Sequence, residues 1–193
     1  MRNQFKGYVL GAIAAASYGM NPLFALPLYK AGLDTDSVLF FRYLFAIPLV
    51  GIMLKARGRD FKIVRKEVSW LLVMGLLMAL SSLALFESYN FMDVGVASTL
   101  LFVYPIMVAL IMCLVFKEKL SMRILLCIIL ALGGIGLLYK TGSGATLSLT
   151  GSAWVFVSAF SYAIFLVGIN QSRLKDMPTL KMTFYVLLFG FTL

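Results

Sequence analysis

The chain has 193 residues with a net charge of +9, and 62% of its residues are hydrophobic while only 13% are charged. Soluble domains are about 45–50% apolar and about 25% charged, so the composition excludes an ordinary soluble enzyme, a disordered chain and a disulfide-rich secreted module. The alternating strands of an outer-membrane barrel are absent too, which leaves an all-α membrane protein.

Seven apolar runs follow one another along the chain, at residues 8–28, 37–54, 68–89, 95–116, 122–139, 151–171 and 179–193. The first six are long enough to cross about 30 Å of hydrocarbon as helices. The first run follows Arg2 and Lys6, as a signal peptide would, but it continues too far and we interpret it as an uncleaved span. The seventh stops inside an apolar stretch, which predicts a C-terminally truncated chain.

The basic residues are distributed unevenly between the two sides of these spans. With the N-terminus in the cytoplasm, 14 of the 17 Lys and Arg fall in inside segments, two fall outside, and Arg42 lies within the second run. By the positive-inside rule this predicts a multi-pass protein of the cell (inner) membrane with a cytoplasmic N-terminus. The orientation of the chain in the lipid bilayer thus explains the net positive charge, and no nucleic-acid partner is needed to explain it.

The starts of the first and sixth runs resemble each other. The identities are Gly7 with Gly151, Ala15 with Ala159, and Ser17-Tyr18 with Ser161-Tyr162. Five spans separate the two starts, so the second copy enters the membrane from the opposite side. This predicts inverted five-helix repeats, with residues 1–146 as the first repeat, 147–193 as the start of the second, and ten helices in a full chain.

Two ionisable residues lie within the predicted spans, where a charge usually faces a cavity or a partner. Arg42 lies about 7 Å and Glu87 about 3 Å from the outside ends of their runs, at 1.5 Å per residue. Arg42 either binds a substrate anion or pairs with Glu87 in one state of a cycle, or else it snorkels to the headgroups or forms a static pair. Glu87 is the only candidate proton carrier.

Other polar residues are candidates for lining a substrate cavity. In the first run, Asn21-Pro22 is expected to interrupt the helix and free a carbonyl near Tyr18, either as a kink that lines the cavity or as a packing kink whose polar groups are satisfied. The fourth run contributes Tyr104, beside Pro105. In the sixth run, Ser158 and Tyr162 share a face that serves either the cavity or helix packing.

The sequence offers little for catalysis. It contains no histidine, and its two cysteines, Cys113 and Cys127, lie in apolar runs where packing explains them better than a disulfide or a metal. The acidic pair Asp34-Thr35-Asp36 stands alone, without the acidic cluster that Mg²⁺ requires. We therefore predict no metal, no cofactor and no enzymatic activity. Small residues of the fifth run suit close packing within a subunit or between the subunits of a homodimer.

The chain resembles the EamA-like members of the drug/metabolite transporter superfamily. The stretches that carry the resemblance are 95–105 (GVASTLLFVYP), 116–121 (FKEKLS), 41–46 (FRYLFA, with the arginine near the start of the second helix) and 132–136 (LGGIG). The family implies two inverted five-helix repeats and a central cavity lined by the first four helices of each repeat. It also implies alternate opening of that cavity to the two sides of the membrane.

The expected function is therefore secondary transport, with export of small metabolites or drugs by alternating access. Two alternatives stay open: a carrier of nucleotide sugars or lipid headgroups from the same superfamily, and a membrane scaffold or receptor that transports nothing. Substrate and coupling ion do not follow from the sequence.

Overall fold

The computed structural model describes residues 2–118 and 148–192, together with 122, 126, 128–130 and 133–134. The side chains of residues 2–4, 6, 15, 18, 21 and 22 are outside this description, and so is most of the predicted fifth span, 122–139. All the regular structure in the described ranges is helical. The prediction of an all-α protein is confirmed.

The helices, numbered in chain order, are α1 Arg2–Gly19, α2 Asn21–Lys30, α3 Thr35–Ala56, α4 Arg65–Ser88, α5 Val94–Leu101, α6 Tyr104–Phe116, α7 Leu149–Gln171 and α8 Thr179–Gly190. A short 3-10 helix, Arg173–Asp176, joins α7 to α8. By length and composition, four segments of the described chain are able to cross a membrane: α3, α4, the segment Val94–Phe116 and α7.

The chain forms two compact units, Met1–Val38 and Leu39–Leu193. In the first unit, the predicted first span is two helices, because the α-helix is interrupted at Met20 and resumes at Asn21. Pro22 has no N–H to offer the carbonyl of Tyr18, so the ladder of hydrogen bonds cannot pass through this point. The predicted interruption at Asn21-Pro22 is confirmed.

In the second unit, α4 and α7 pack antiparallel at the centre, and α7 also contacts α5 and α6. Three contacts show that the two helices are antiparallel, because the residue numbers rise along α4 while those of the α7 partners fall. These contacts join Met74 to Gly168, Ser81 to Ser158, and Met92, in the turn after α4, to Gly151.

Helix α8 crosses α4 at two glycines. A Cβ atom added to Gly75 would lie 2.9 Å from the backbone nitrogen of Gly190 and 2.9 Å from the carbonyl oxygen of Val186. Neither backbone atom is able to move aside independently of its helix. The crossing therefore requires glycine, in keeping with the use of small residues where membrane helices approach closely.

The turn between α4 and α5 is short, as the sequence predicts. Asp93 caps α5, since its Oδ1 accepts hydrogen bonds from the backbone N–H groups of Gly95 at 2.8 Å and Val96 at 3.3 Å. The turn returns α5 against α4. The helical path then breaks at Phe102 and Val103, because Pro105 in the first turn of α6 removes a backbone donor.

The second unit has one strongly basic end. The loop between α3 and α4 contacts the start of α8 there, and Gln171 at the end of α7 contacts Met112 near the end of α6. Every described Lys and Arg of this unit lies at that end, apart from Arg42. The α4–α5 turn and the start of α7 form the opposite end. Segments assigned to one side by charge therefore share one end of the structure.

Candidate functional site

Arg42 on α3 lies over an aromatic ring of α4. Its Cζ atom is 5.3 Å from the centroid of the Phe86 ring, within the range of a cation–π interaction. Phe86 is only 3% exposed, whereas the Arg42 side chain is exposed. A buried ring thus holds an accessible cation, and the contact leaves guanidinium N–H donors for a second partner.

The position of Arg42 is set by its neighbours on α3. Tyr43 is 6% exposed and its hydroxyl donates to Ser82 Oγ on α4 at 3.4 Å. Phe40 packs on Phe191, just beyond α8, with ring centroids 5.0 Å apart. These contacts fasten the face of α3 on either side of Arg42.

Glu87 does not pair with Arg42 in this structure. Its Oε2 atom accepts a hydrogen bond from the side-chain amide of Asn90 at 3.2 Å. Within the described ranges, no carboxylate forms an ion pair with Arg42. The static pair is therefore not present in this state, while the exchange of partners during a cycle remains a prediction.

Ser158 lies in the interface between α7 and α4. Its hydroxyl donates to the backbone carbonyl of Ser81 at 2.7 Å, and the two Oγ atoms are 3.2 Å apart. Ser158 has no exposed surface. In this state the hydroxyl joins two helices and does not face an open space.

The rings of Tyr104 and Tyr162 contact each other across α6 and α7. Their rings pack edge to face with centroids 4.9 Å apart, and Tyr162 also stacks on Phe165 with centroids 5.8 Å apart. Both tyrosines are half-buried. They form an aromatic surface between α6 and α7.

These features lie at successive levels along the α4–α7 pair. Phe86 is five residues beyond Ser81 toward the α4–α5 turn, and Tyr162 is four residues beyond Ser158 toward the basic end. At 1.5 Å per residue, the steps are about 7 Å and about 6 Å. The serine pair therefore separates the arginine from the two tyrosines.

The other two candidates, Tyr18 and Asn21, lie at the end of α1 and the start of α2. Their side chains are outside the described residues. Their assignment to a cavity stays a prediction.

Three contributors were missed by reasoning from the sequence: Phe86, Ser81 and the glycine pair Gly75 and Gly190. Ser81-Ser82 is the only pair of adjacent serines in the third run, and this pair could have pointed to a polar contact between helices. No sequence signal distinguished Phe86, because phenylalanine is common throughout the apolar runs.

The described residues hold no cluster of three or more His, Cys, Asp or Glu side chains that would suit a metal ion. At the described candidate positions the structure places the exposed Arg42 guanidinium, the Glu87 carboxylate and two half-buried phenols, whereas the Ser158 hydroxyl is buried between helices. This set suits reversible binding by charge, stacking and hydrogen bonds.

Residues 5–140, more than half of the chain, match the sequence model of the EamA-like transporter family. Comparison with curated proteins gave no match, and neither did comparison with solved structures.

Proposed function

The chain belongs to the EamA-like transporter family, and from this premise we propose that it is a secondary transporter that exports small metabolites or drugs. The family match is the observation that carries the proposal. Helices long and apolar enough to span a membrane support it, as does the concentration of basic residues at one end of the second unit.

We further propose that the substrates carry an anionic group and that Arg42 binds it. A lone arginine at membrane depth is costly, and it is usually retained where it serves a pathway or a partner. The cation–π contact with Phe86 positions the guanidinium without neutralising its charge. An incoming carboxylate or phosphate would complete the pairing of the guanidinium.

The mechanism we propose is alternating access by two inverted repeats, with residues 1–146 as the first repeat and 147–193 as the start of the second. The N-terminus and the basic end lie in the cytoplasm in this arrangement, and the membrane is the inner cell membrane. Arg42 then lies toward the outer side of the site, where it would hold the anion before release.

The test uses cells that express the complete protein and compares the metabolites in their medium. Arg42→Ala is expected to abolish the compounds that the parent exports, with expression unchanged. Arg57→Ala is the matched control, since Arg57 is an exposed arginine at the basic end. Export unchanged by Arg42→Ala would reject the role of Arg42. Identical medium with and without the parent protein would favour a scaffold that transports nothing.

A further inference from the structure

The loop between α3 and α4 is held by α8 through side chains of one helical face. The Tyr185 hydroxyl donates a hydrogen bond to the backbone carbonyl of Phe61, and the Lys181 ammonium donates to the carbonyl of Lys62. The Phe61 ring also packs edge-on against Phe184, with centroids 5.4 Å apart. Three side chains on one face of α8, those of Lys181, Phe184 and Tyr185, thus contact two consecutive loop residues.

Two of the loop's own N–H groups are satisfied close by along the chain. The N–H of Lys62 donates to Asp60 Oδ1 at 3.1 Å, and the N–H of Val64 donates to Glu67 Oε2 at 3.0 Å. The carbonyls of Phe61 and Lys62, in contrast, receive their side-chain donors from α8. The loop is therefore shaped locally and attached to α8 separately, so it is able to detach without losing its shape.

The attached loop covers an apolar cluster at the basic end. Ile63 from the loop and Tyr185 from α8 pack against a core in which Leu71, Phe165 and Val186 are buried. This core joins α4, α7 and α8. Detachment of the loop would uncover it from the basic end.

The two attachments of α8 differ in kind. At its far end, the backbone contact of Gly190 with Gly75 is too close to admit a methyl group. At its near end, side-chain hydrogen bonds to exposed carbonyls contribute little net free energy each, because water is able to replace them. The hydrogen bonds to the loop are therefore the weaker attachment, so the loop is able to leave α8 while α8 stays packed on α4 and α7.

We propose that Lys181 and Tyr185 form a latch on the α3–α4 loop that closes the basic end of the protein, and that release of the latch opens the transport pathway to the cytoplasm. The inference rests on the proposed function and on the predicted orientation. It assigns to a topology-setting basic loop the additional role of a gate.

The latch is tested with a thiol reporter in the core that the loop covers. In a Cys113→Ser/Cys127→Ser background, Val186→Cys places a thiol at a position that is 4% exposed. The labelling rate with N-ethylmaleimide is measured in proteoliposomes, without any substrate. Tyr185→Phe removes only the hydroxyl, and Lys181→Met removes the ammonium while keeping an unbranched side chain of similar length. Lys175→Met, a change of an exposed lysine at the same end, is the control.

Each latch variant is expected to speed labelling about threefold and the double variant about tenfold, with the control unchanged. Rates equal to the control in all three would overturn the latch. To separate opening from misfolding, Phe61→Cys and Phe184→Cys are combined in one protein without the reporter, because these changes leave Lys181, Tyr185 and the two accepting backbone carbonyls in place. A short bifunctional thiol reagent should join these two positions, and failure to join them also overturns the contact.

The readout is independent of transport. Faster labelling in the latch variants together with unchanged export by Arg42→Ala would reject the anion site while retaining the latch. Labelling rates equal to the control together with loss of export in Arg42→Ala would reject the latch alone.

Discussion

The guanidinium of Arg42 and the ring of Phe86 face each other across α3 and α4, with 5.3 Å between Cζ and the ring centroid. The ring is buried and the cation is accessible. Phe86 therefore acts on any ligand through Arg42, and it is a positioning residue in the proposed site.

Loss of the ring should weaken binding of the substrate without abolishing transport. Phe86→Leu keeps an apolar side chain but removes the cation–π contact, which contributes about 0.5–1 kcal/mol at an exposed site. We expect the apparent affinity for an exported compound to fall about threefold, with the maximal rate nearly unchanged. Concentration-dependent flux in vesicles measures both quantities. Phe86→Tyr preserves the ring and is the control; an equal loss in both variants would contradict the positioning role.

A charge-conserving change should separate geometry from charge at the same site. Arg42→Lys retains the positive charge but replaces the planar fork of donors with a single ammonium. We expect export between that of the parent and that of Arg42→Ala, measured at equal expression. Full activity of Arg42→Lys would show that charge alone is needed and that bidentate binding is not.

The features open to prediction from the sequence are those that depend on local chemistry. The sequence predicted the interruption at Asn21-Pro22, because proline lacks an N–H. The break before Pro105 and the Asp93 cap follow from equally local chemistry, although neither was predicted. Each effect is confined to one turn of the chain. Such signals can be read without knowledge of the neighbouring helices.

The partners across helices could not be predicted in the same way. Helix α3 is apolar on nearly all sides, so no stripe distinguishes the face that meets α4 from the face that meets lipid. Tyr43 is buried while Phe45 is exposed, yet both are aromatic residues of the same run. The pairing of Arg42 with Phe86, in place of Glu87 one position later, depends on helix rotation that composition does not encode.

A methyl group at the glycine crossing should destabilise the protein. In Gly75→Ala the new Cβ would lie 2.9 Å from backbone atoms of α8, so the helices must separate. Such overpacking costs about 1–3 kcal/mol. We expect a lower midpoint of thermal unfolding in detergent. Gly11→Ala is the matched control, because a Cβ there meets no described atom within 4 Å; equal shifts in both variants would contradict the tight crossing.

Replacing either serine of the Ser81–Ser158 pair with alanine should destabilise the protein, but by different amounts. Ser158→Ala removes the donor of the 2.7 Å bond, whereas Ser81→Ala leaves the backbone carbonyl that accepts it. Hydrogen bonds between membrane helices contribute about 0.6 kcal/mol on average and up to about 1.7 kcal/mol. We expect Ser158→Ala to lower the free energy of unfolding by about 1 kcal/mol and Ser81→Ala by less. Unfolding by titration with denaturing detergent measures the difference, and the reverse order would contradict the hydrogen-bond assignment.

The two ends of the second unit should face opposite sides of the membrane. Leu149 starts α7 at the end where the described part of the second unit has no Lys or Arg besides Arg42, and it is 89% exposed, whereas Arg59 lies in the basic loop. In the cysteine-free background, Leu149→Cys should react with an impermeant maleimide added to intact cells, because the positive-inside rule assigns the basic end to the cytoplasm. Arg59→Cys should react only after permeabilisation. Arg57→Cys serves as a second position in the same loop, to show that loss of one charge has not inverted the protein. Reaction of both Leu149→Cys and Arg59→Cys in intact cells would overturn the proposed topology and, with it, the cytoplasmic position of the latch.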